Sequence, residues 1–381
     1  MSLRAPVAAT LLSLLAFVAP SLTLAPLQAV EPGLRTTPVD VPLERVVPRV
    51  APSGARALEQ EAVDREFRLA LDAARAAGSA YGVTFAVVDD GLVIWTGSAG
   101  RARDGATPLT SDARFVIGSV TKTYVAAAVL QLVSEGRLSL DDVAADRLPG
   151  IALSREITIR QLLDHSSGLA DLFNDATRRG LEERPGVAWT QDQILASLHE
   201  PWYPPGEGWA YANTNYYLLG RIVESVTGSS LADELDRRFL GPIALNATTV
   251  LTGATGEPLS PAWASIFWAS GAMSSSAADL ARWGDALYDG GVLPAALRAQ
   301  MLDWNDDDYG LGAQRIEVPG AVGYGHTGLL DTYTTLLLYL PSADVTLTLL
   351  VNRTNVDLGA MLTAHPAGGG PSLLDLALGR D

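Results

Sequence analysis

The chain has 381 residues, a formal net charge of −16 and no cysteine. The acidic balance argues against nucleic acid and anionic membrane surfaces as partners, since both need clustered cations. Without cysteine there is no disulfide, thiolate metal site, thiol nucleophile or cysteine lipidation. With 48% hydrophobic and 18% charged residues, the composition is that of a globular chain with an ample core, one large domain or a pair sharing one core. Four histidines, His165, His199, His326 and His365, lack the spacing of a helical metal motif, so neither metal nor cofactor is expected.

Residues 1–29 read as an export signal, with Arg4 ahead of an apolar run from Ala5 to about Leu24. An uncleaved anchor helix is the alternative, and Pro20, Ser21 and Thr23 interrupt it. The expected location is therefore secreted or in the cell envelope, with a membrane link only through an uncleaved leader. Residues 30–56 are rich in Pro and Arg and read as a linker. Residues 57–381 form the expected domain, a monomer.

Leu58, Ala62, Phe67, Leu69 and Leu71 predict an amphipathic helix ended by Gly78. Strands are expected over 82–88 and 92–97, joined by Asp89-Asp90-Gly91, a hairpin signal. Helical patterns dominate from about 119 to 293. Strands return over 333–340 and 345–351, with a turn at Pro341-Ser342-Ala343-Asp344. Strands at both ends predict one antiparallel sheet with a helical region inserted between them, and a cleft where the two meet.

Ser119-Val120-Thr121-Lys122 opens a stretch, Tyr124 to Val133, that is apolar nearly all round and so reads as a buried helix ending at Glu135-Gly136. Lys122 is the only lysine; every other basic side chain of the Lys/Arg type is arginine. An amine can lose its proton when buried, which guanidinium does not. Ser119 and Lys122, three apart on a helix, share a face, so the amine can act as base for the serine hydroxyl. Backbone N–H groups at the helix start would face a developing oxyanion. Taken alone, Ser-x-x-Lys also fits a capping serine and a lysine that snorkels to solvent.

Two further motifs follow. Tyr211-Ala212-Asn213 comes after the rigid loop Trp202-Tyr203-Pro204-Pro205-Gly206, and its phenol and amide can both face one cleft. Tyr324-Gly325-His326-Thr327-Gly328 sets two glycines around a polar pair just before the late strands, as where backbone approaches a ligand. Each alone also reads as structural.

In this order the three motifs resemble the family of class C β-lactamases, penicillin-sensitive D-Ala-D-Ala carboxypeptidases and related esterases. The stretches Ile157 to Leu169, Ser270 to Leu280 and Tyr309-Gly310-Leu311-Gly312 add to the likeness, which spans about residues 57–365. The resemblance implies an α/β (α+β) fold of the β-lactamase/transpeptidase type, an antiparallel sheet flanked by helices. It implies Ser119 as nucleophile, Lys122 and Tyr211 sharing the proton work, Asn213 holding the substrate amide, and the N–H groups of Ser119 and Leu329 as the oxyanion hole. His326, Thr327 and Gly328 would line the substrate site, and Arg315 would bind a terminal carboxylate or else be a solvated strand arginine. His165 is expected to be structural.

Two departures stand out. His326 replaces the lysine of the lactamase motif, and Leu329 makes the carboxylate pocket less polar. The expected substrate is a small molecule or peptide, and the leading expectation is a D-Ala-D-Ala carboxypeptidase-like acyl hydrolase. Alternatives are a class C-like β-lactamase, a small-ester esterase, and a non-catalytic penicillin-binding-like module.

Overall fold

The computed structural model describes residues 54–380, with side chains from Gln60 onward. The leader and almost all of the linker therefore lie outside the described residues. Helix α1 (Gly54–Ala77) begins three residues before the expected domain start, inside the segment read as linker, and ends ahead of Gly78 as its pattern predicts.

A six-stranded antiparallel sheet forms the centre. Its strands are β1 (Gly82–Asp89), β2 (Leu92–Gly100), β6 (Gln314–Val318), β7 (Ala321–Leu330), β8 (Tyr333–Leu340) and β9 (Val345–Val351), in the order β2-β1-β9-β8-β7-β6. The first and last strands meet at its middle, where Val83 pairs with Val351 and Asp89 with Val345. This is the closure expected from strands at both chain ends. β8 and β9 are buried at every position because both sheet faces are covered. On one face, Phe85, Leu338, Leu347 and Leu349 pack with Phe67 and Leu71 of α1 and with two late helices, α11 (Leu358–Leu362) and α12 (Leu373–Ala377). On the other, Ala86, Leu337 and Leu350 join the larger core. Side chains that point to alternate faces thus enter two different cores, so even Thr346 and Thr348 of β9 are buried.

Helix α2 (Thr121–Ser134) runs through the larger core, surrounded by the inserted helices. Among these are α3 (Ile159–Leu163), α4 (Asp175–Glu183), α5 (Gln191–Ala196), α6 (Asn213–Thr227), α7 (Leu231–Leu235) and α8 (Pro261–Gly271). Helix α9 (Ala277–Tyr288) lies on the sheet, and α10 (Ala295–Met301) follows it. A small sheet, absent from the sequence expectation, interrupts the helical region: β3 (Phe115–Val116), β5 (Met273–Ser275) and β4 (Thr249–Val250), with β5 in the middle. Runs of two or three residues are too short to leave a period. Their effect is local and important. β3 leads directly into a 3₁₀ turn, Gly118–Val120, and Ile117 N–H donates to Met273 O at 2.9 Å. The turn is thereby held against β5 and delivers the chain into α2.

Two glycines allow β7 to lie against this turn. Gly118 has φ +52°, and a Cβ there would fall 2.7 Å from Leu329 N. A Cβ on Gly328 would fall 2.0 Å from Ile117 O. Both obstacles are backbone, so a side chain cannot be accommodated by rotamer change. Gly328→Ala is expected to cost about 1–3 kcal/mol of stability through overpacking, with a lower melting temperature and a larger proportional loss of turnover. Wild-type activity in that variant would show that the close approach is dispensable.

Candidate active site

The 3₁₀ turn places Ser119 half-buried at the entrance to α2. Its hydroxyl caps nothing: neither the turn nor α2 has a side-chain cap. Lys122, one turn on, is fully buried. Its Nζ lies 3.0 Å from Ser119 Oγ, 2.8 Å from Asn213 Oδ1 and 2.8 Å from Ser270 O. Two of these three partners are carbonyl oxygens, which only accept. In the neutral amine the two N–H groups satisfy both, and the lone pair is left facing the serine hydroxyl.

Burial pulls the Lys122 pKa down to about 7, against the opposing charge of Asp171. The amine is therefore available as a base near neutrality. The Ser270 carbonyl belongs to the last turn of α8, where backbone acceptors have no partner within the helix. Its acceptance of an Nζ–H keeps the buried amine satisfied without a carboxylate in direct contact.

Tyr211 sits beside Ser119, its phenolic oxygen buried and without a hydrogen-bond partner. The Lys122 Nζ lies 4.8 Å from the ring centroid. Burial pushes the phenol pKa up, so Tyr211 stays protonated at neutral pH and is able to relay a proton. His165 braces this tyrosine. Its carbonyl accepts from Ala210 N–H at 3.2 Å, and its Nδ1 accepts from Ala212 N–H at 3.3 Å and from Asn215 Nδ2 at 2.9 Å. Its ring lies 4.3 Å from that of Tyr211. Burial holds the His165 pKa well below its usual range, so it is a neutral structural residue, in accord with the sequence expectation.

Asn213 opens α6 after the extended residue Ala212. The resemblance gave it the substrate amide, and the structure shows both ends of its own amide engaged, with one of the two Nδ2 protons still free. Its Oδ1 accepts from Lys122, while its Nδ2 donates to Asp171, 3.3 and 3.1 Å from the two carboxylate oxygens. Asp171 also accepts from the backbone of Asn213 and Phe173, each at 3.1 Å. A carboxylate accepts only, so it fixes which end of the amide faces the lysine. Asp171 escaped sequence reasoning because it is 42 positions from Asn213. Ser270 was inside a family-like stretch, yet it acts through its carbonyl, which side-chain identity does not reveal.

The third motif lies on β7. β6 ends opposite Gly325, so beyond that point β7 has an open edge on this side. Thr327 N–H and Oγ1 reach back to Gln314 Oε1 at 2.9 and 3.0 Å. N–H groups two residues apart point to the same edge of a strand. Leu329 N–H therefore faces the open edge, close to Gly118, the residue before Ser119, which is where the expected oxyanion hole would lie. The Leu329 side chain is 54% exposed at the rim.

His326 does not face substrate as the resemblance implied. It is buried, with Nδ1 2.6 Å from Thr327 O and Nε2 3.0 Å from the Tyr309 hydroxyl. The carbonyl requires the proton on Nδ1, so Tyr309 donates to Nε2. Burial, with the nearby Lys122, lowers its pKa to about 3, leaving it uncharged. Arg315, on β6, bonds Asp308 at 3.1 Å and Glu317 at 3.0 Å, and no hydrogen bond links it to the Ser119 cluster. Its expected role as carboxylate binder is not supported by this placement.

A serine hydroxyl within hydrogen-bond reach of a buried amine is the arrangement that serine-hydrolase chemistry requires. The match to the "Beta-lactamase" family model covers residues 56–365, and the chain belongs to that family. It is 31% identical to penicillin-binding protein 4 of Amycolatopsis lactamdurans, over 74% of this chain and 83% of that protein. It is 27% identical to a D-aminopeptidase of Cereibacter sphaeroides, over 85% of this chain and 64% of that one. Among solved structures, the D-stereospecific amidohydrolase from Streptomyces sp. superposes with a TM-score of 0.69 at 30% identity, covering 81% of this chain and 99% of the other.

Ser119→Ala is expected to abolish turnover with little change in melting temperature, since no cap bond is lost; retained turnover in a folded variant would remove Ser119 from the role. The kcat/KM profile should fall as pH drops below about 7, where Lys122 takes up a proton. Because Asp171 favours the ammonium form, Asp171→Asn should move this acid limb to lower pH; a shift in the other direction would contradict the electrostatic assignment.

Proposed function

We propose that the protein hydrolyses amide bonds of D-configured amino acid amides or short peptides through an acyl-enzyme on Ser119, with a neutral leaving group. The observation that carries this is the state of the two basic groups expected on the leaving-group side. His326 is neutral and internally bonded, and Arg315 is paired with two carboxylates. A terminal carboxylate would be desolvated there without a cation, which costs several kcal/mol. An uncharged amide has no such cost. The names of the D-aminopeptidase and the D-stereospecific amidohydrolase among its relatives support the same reading.

The proton path follows the cluster. Lys122 receives the Ser119 proton as the serine oxygen bonds to the carbonyl carbon. Ser119 and Leu329 N–H groups hold the oxyanion. Tyr211 passes a proton to the departing nitrogen as the C–N bond breaks and is reprotonated from Lys122. Water then cleaves the ester, with its proton taken by the same base and returned to Ser119.

The carboxypeptidase reading is the competitor, supported by the similarity to penicillin-binding protein 4. The two separate on substrate. The purified protein should release ammonia from D-phenylalaninamide with a kcat/KM at least about tenfold above that for D-Ala release from a diacylated D-Ala-D-Ala peptide, a preference of roughly 1.4 kcal/mol. The reverse order would replace this proposal with the carboxypeptidase.

A further inference from the structure

We propose that Asp171 anchors the substrate's α-ammonium group and so selects free-amine substrates over N-acylated ones. This inference rests on the amidase reading and adds the group recognised. Four facts support it. First, Asp171 Oδ1 accepts from three N–H groups, those of Phe173 N, Asn213 N and Asn213 Nδ2, whereas Oδ2 has a single hydrogen bond, from Asn213 Nδ2 at 3.1 Å. One carboxylate oxygen thus keeps unused acceptor capacity. Second, no salt bridge among the described residues includes Asp171, so its charge has no paired cation.

Third, Asp171 is only partly covered, while the Lys122 and His165 beside it are fully buried. Burial raises its pKa, a cost that an incoming cation relieves. Fourth, Asn213 alone separates Asp171 from Lys122, which bonds the nucleophile. The half-buried rings of Phe173 and Trp263, packed with Phe267, adjoin the carboxylate through the Phe173 backbone, which makes a phenylalanine side chain a suitable probe.

The test is equilibrium binding to full-length Ser119→Ala protein, so that turnover does not intervene. D-phenylalaninamide and 3-phenylpropanamide, which differ only in the α-amine, are titrated by calorimetry at pH 7. The amine should give at least about 30-fold tighter binding, the scale of one charge-assisted contact. In Ser119→Ala/Asp171→Asn the ratio should fall to about threefold or less, even if both affinities drop because Asn213 has lost its brace. Asp171→Glu is the second variant and should retain part of the ratio if the amide analogue fails to fold. Equal or undetectable binding of the two amides by Ser119→Ala, or a ratio that Asp171→Asn leaves unchanged, overturns the proposal. Wild-type turnover is read separately: failure to hydrolyse D-phenylalaninamide sinks the amidase reading, while the binding ratio still decides Asp171.

Discussion

A primary amine with no solvent contact organises this site. Lys122 needs acceptors for its protons and needs to shed one of them, and both demands shape what surrounds it. A carboxylate in direct contact would satisfy the protons but hold the ammonium form. Two uncharged carbonyls, Asn213 Oδ1 and Ser270 O, satisfy the neutral amine and leave its lone pair for the serine. Arginine cannot substitute, because its charge does not leave at accessible pH. That explains why one lysine persists in a chain whose other long basic side chains are all arginine.

Each acceptor is fixed by something further out. Ser270 O is available because α8 ends there. Asn213 presents oxygen because Asp171 binds its nitrogen. Tyr211 keeps its place because the His165 loop and the Asn213 loop are joined by backbone hydrogen bonds. The oxyanion hole depends on backbone contact between β7 and the 3₁₀ turn, which only glycine at 118 and 328 permits. The groups expected as nucleophile, base, relay and oxyanion donors thus come from three stretches of chain, each held by backbone or buried polar contacts. That is the preorganisation that electrostatic catalysis requires.

The charge pattern around the cluster bears on the expectation of a carboxylate-binding peptidase. A lysine in the third motif would bring a fixed cation. Here His326 is drawn into the core by Tyr309 and the Thr327 carbonyl and stays neutral. Arg315 is held by Asp308 and Glu317. Asp171, an acid, keeps unused acceptor capacity at the site, and the selectivity proposed from it is for positive rather than negative substrate ends.

Much of this was readable from sequence where a residue acts by its own identity and local spacing. The Ser119–Lys122 pairing follows from three-residue spacing on an apolar helix. The late strands, Tyr333–Leu340 and Val345–Val351, and the β1–β2 hairpin follow from composition and turn residues, and the closure of the sheet from strands at both chain ends. What sequence could not decide were the contacts between segments far apart in the chain. Which end of the Asn213 amide faces Lys122 depends on a carboxylate 42 positions away, and whether His326 faces substrate or core depends on a tyrosine hydroxyl 17 positions away. The role of Ser270 depends on a backbone carbonyl whose availability only the end of α8 determines. Spacing along a helix is set by covalent geometry, so it is written in the chain; hydrogen-bond partners across the core are set by packing, so only the folded structure assigns them.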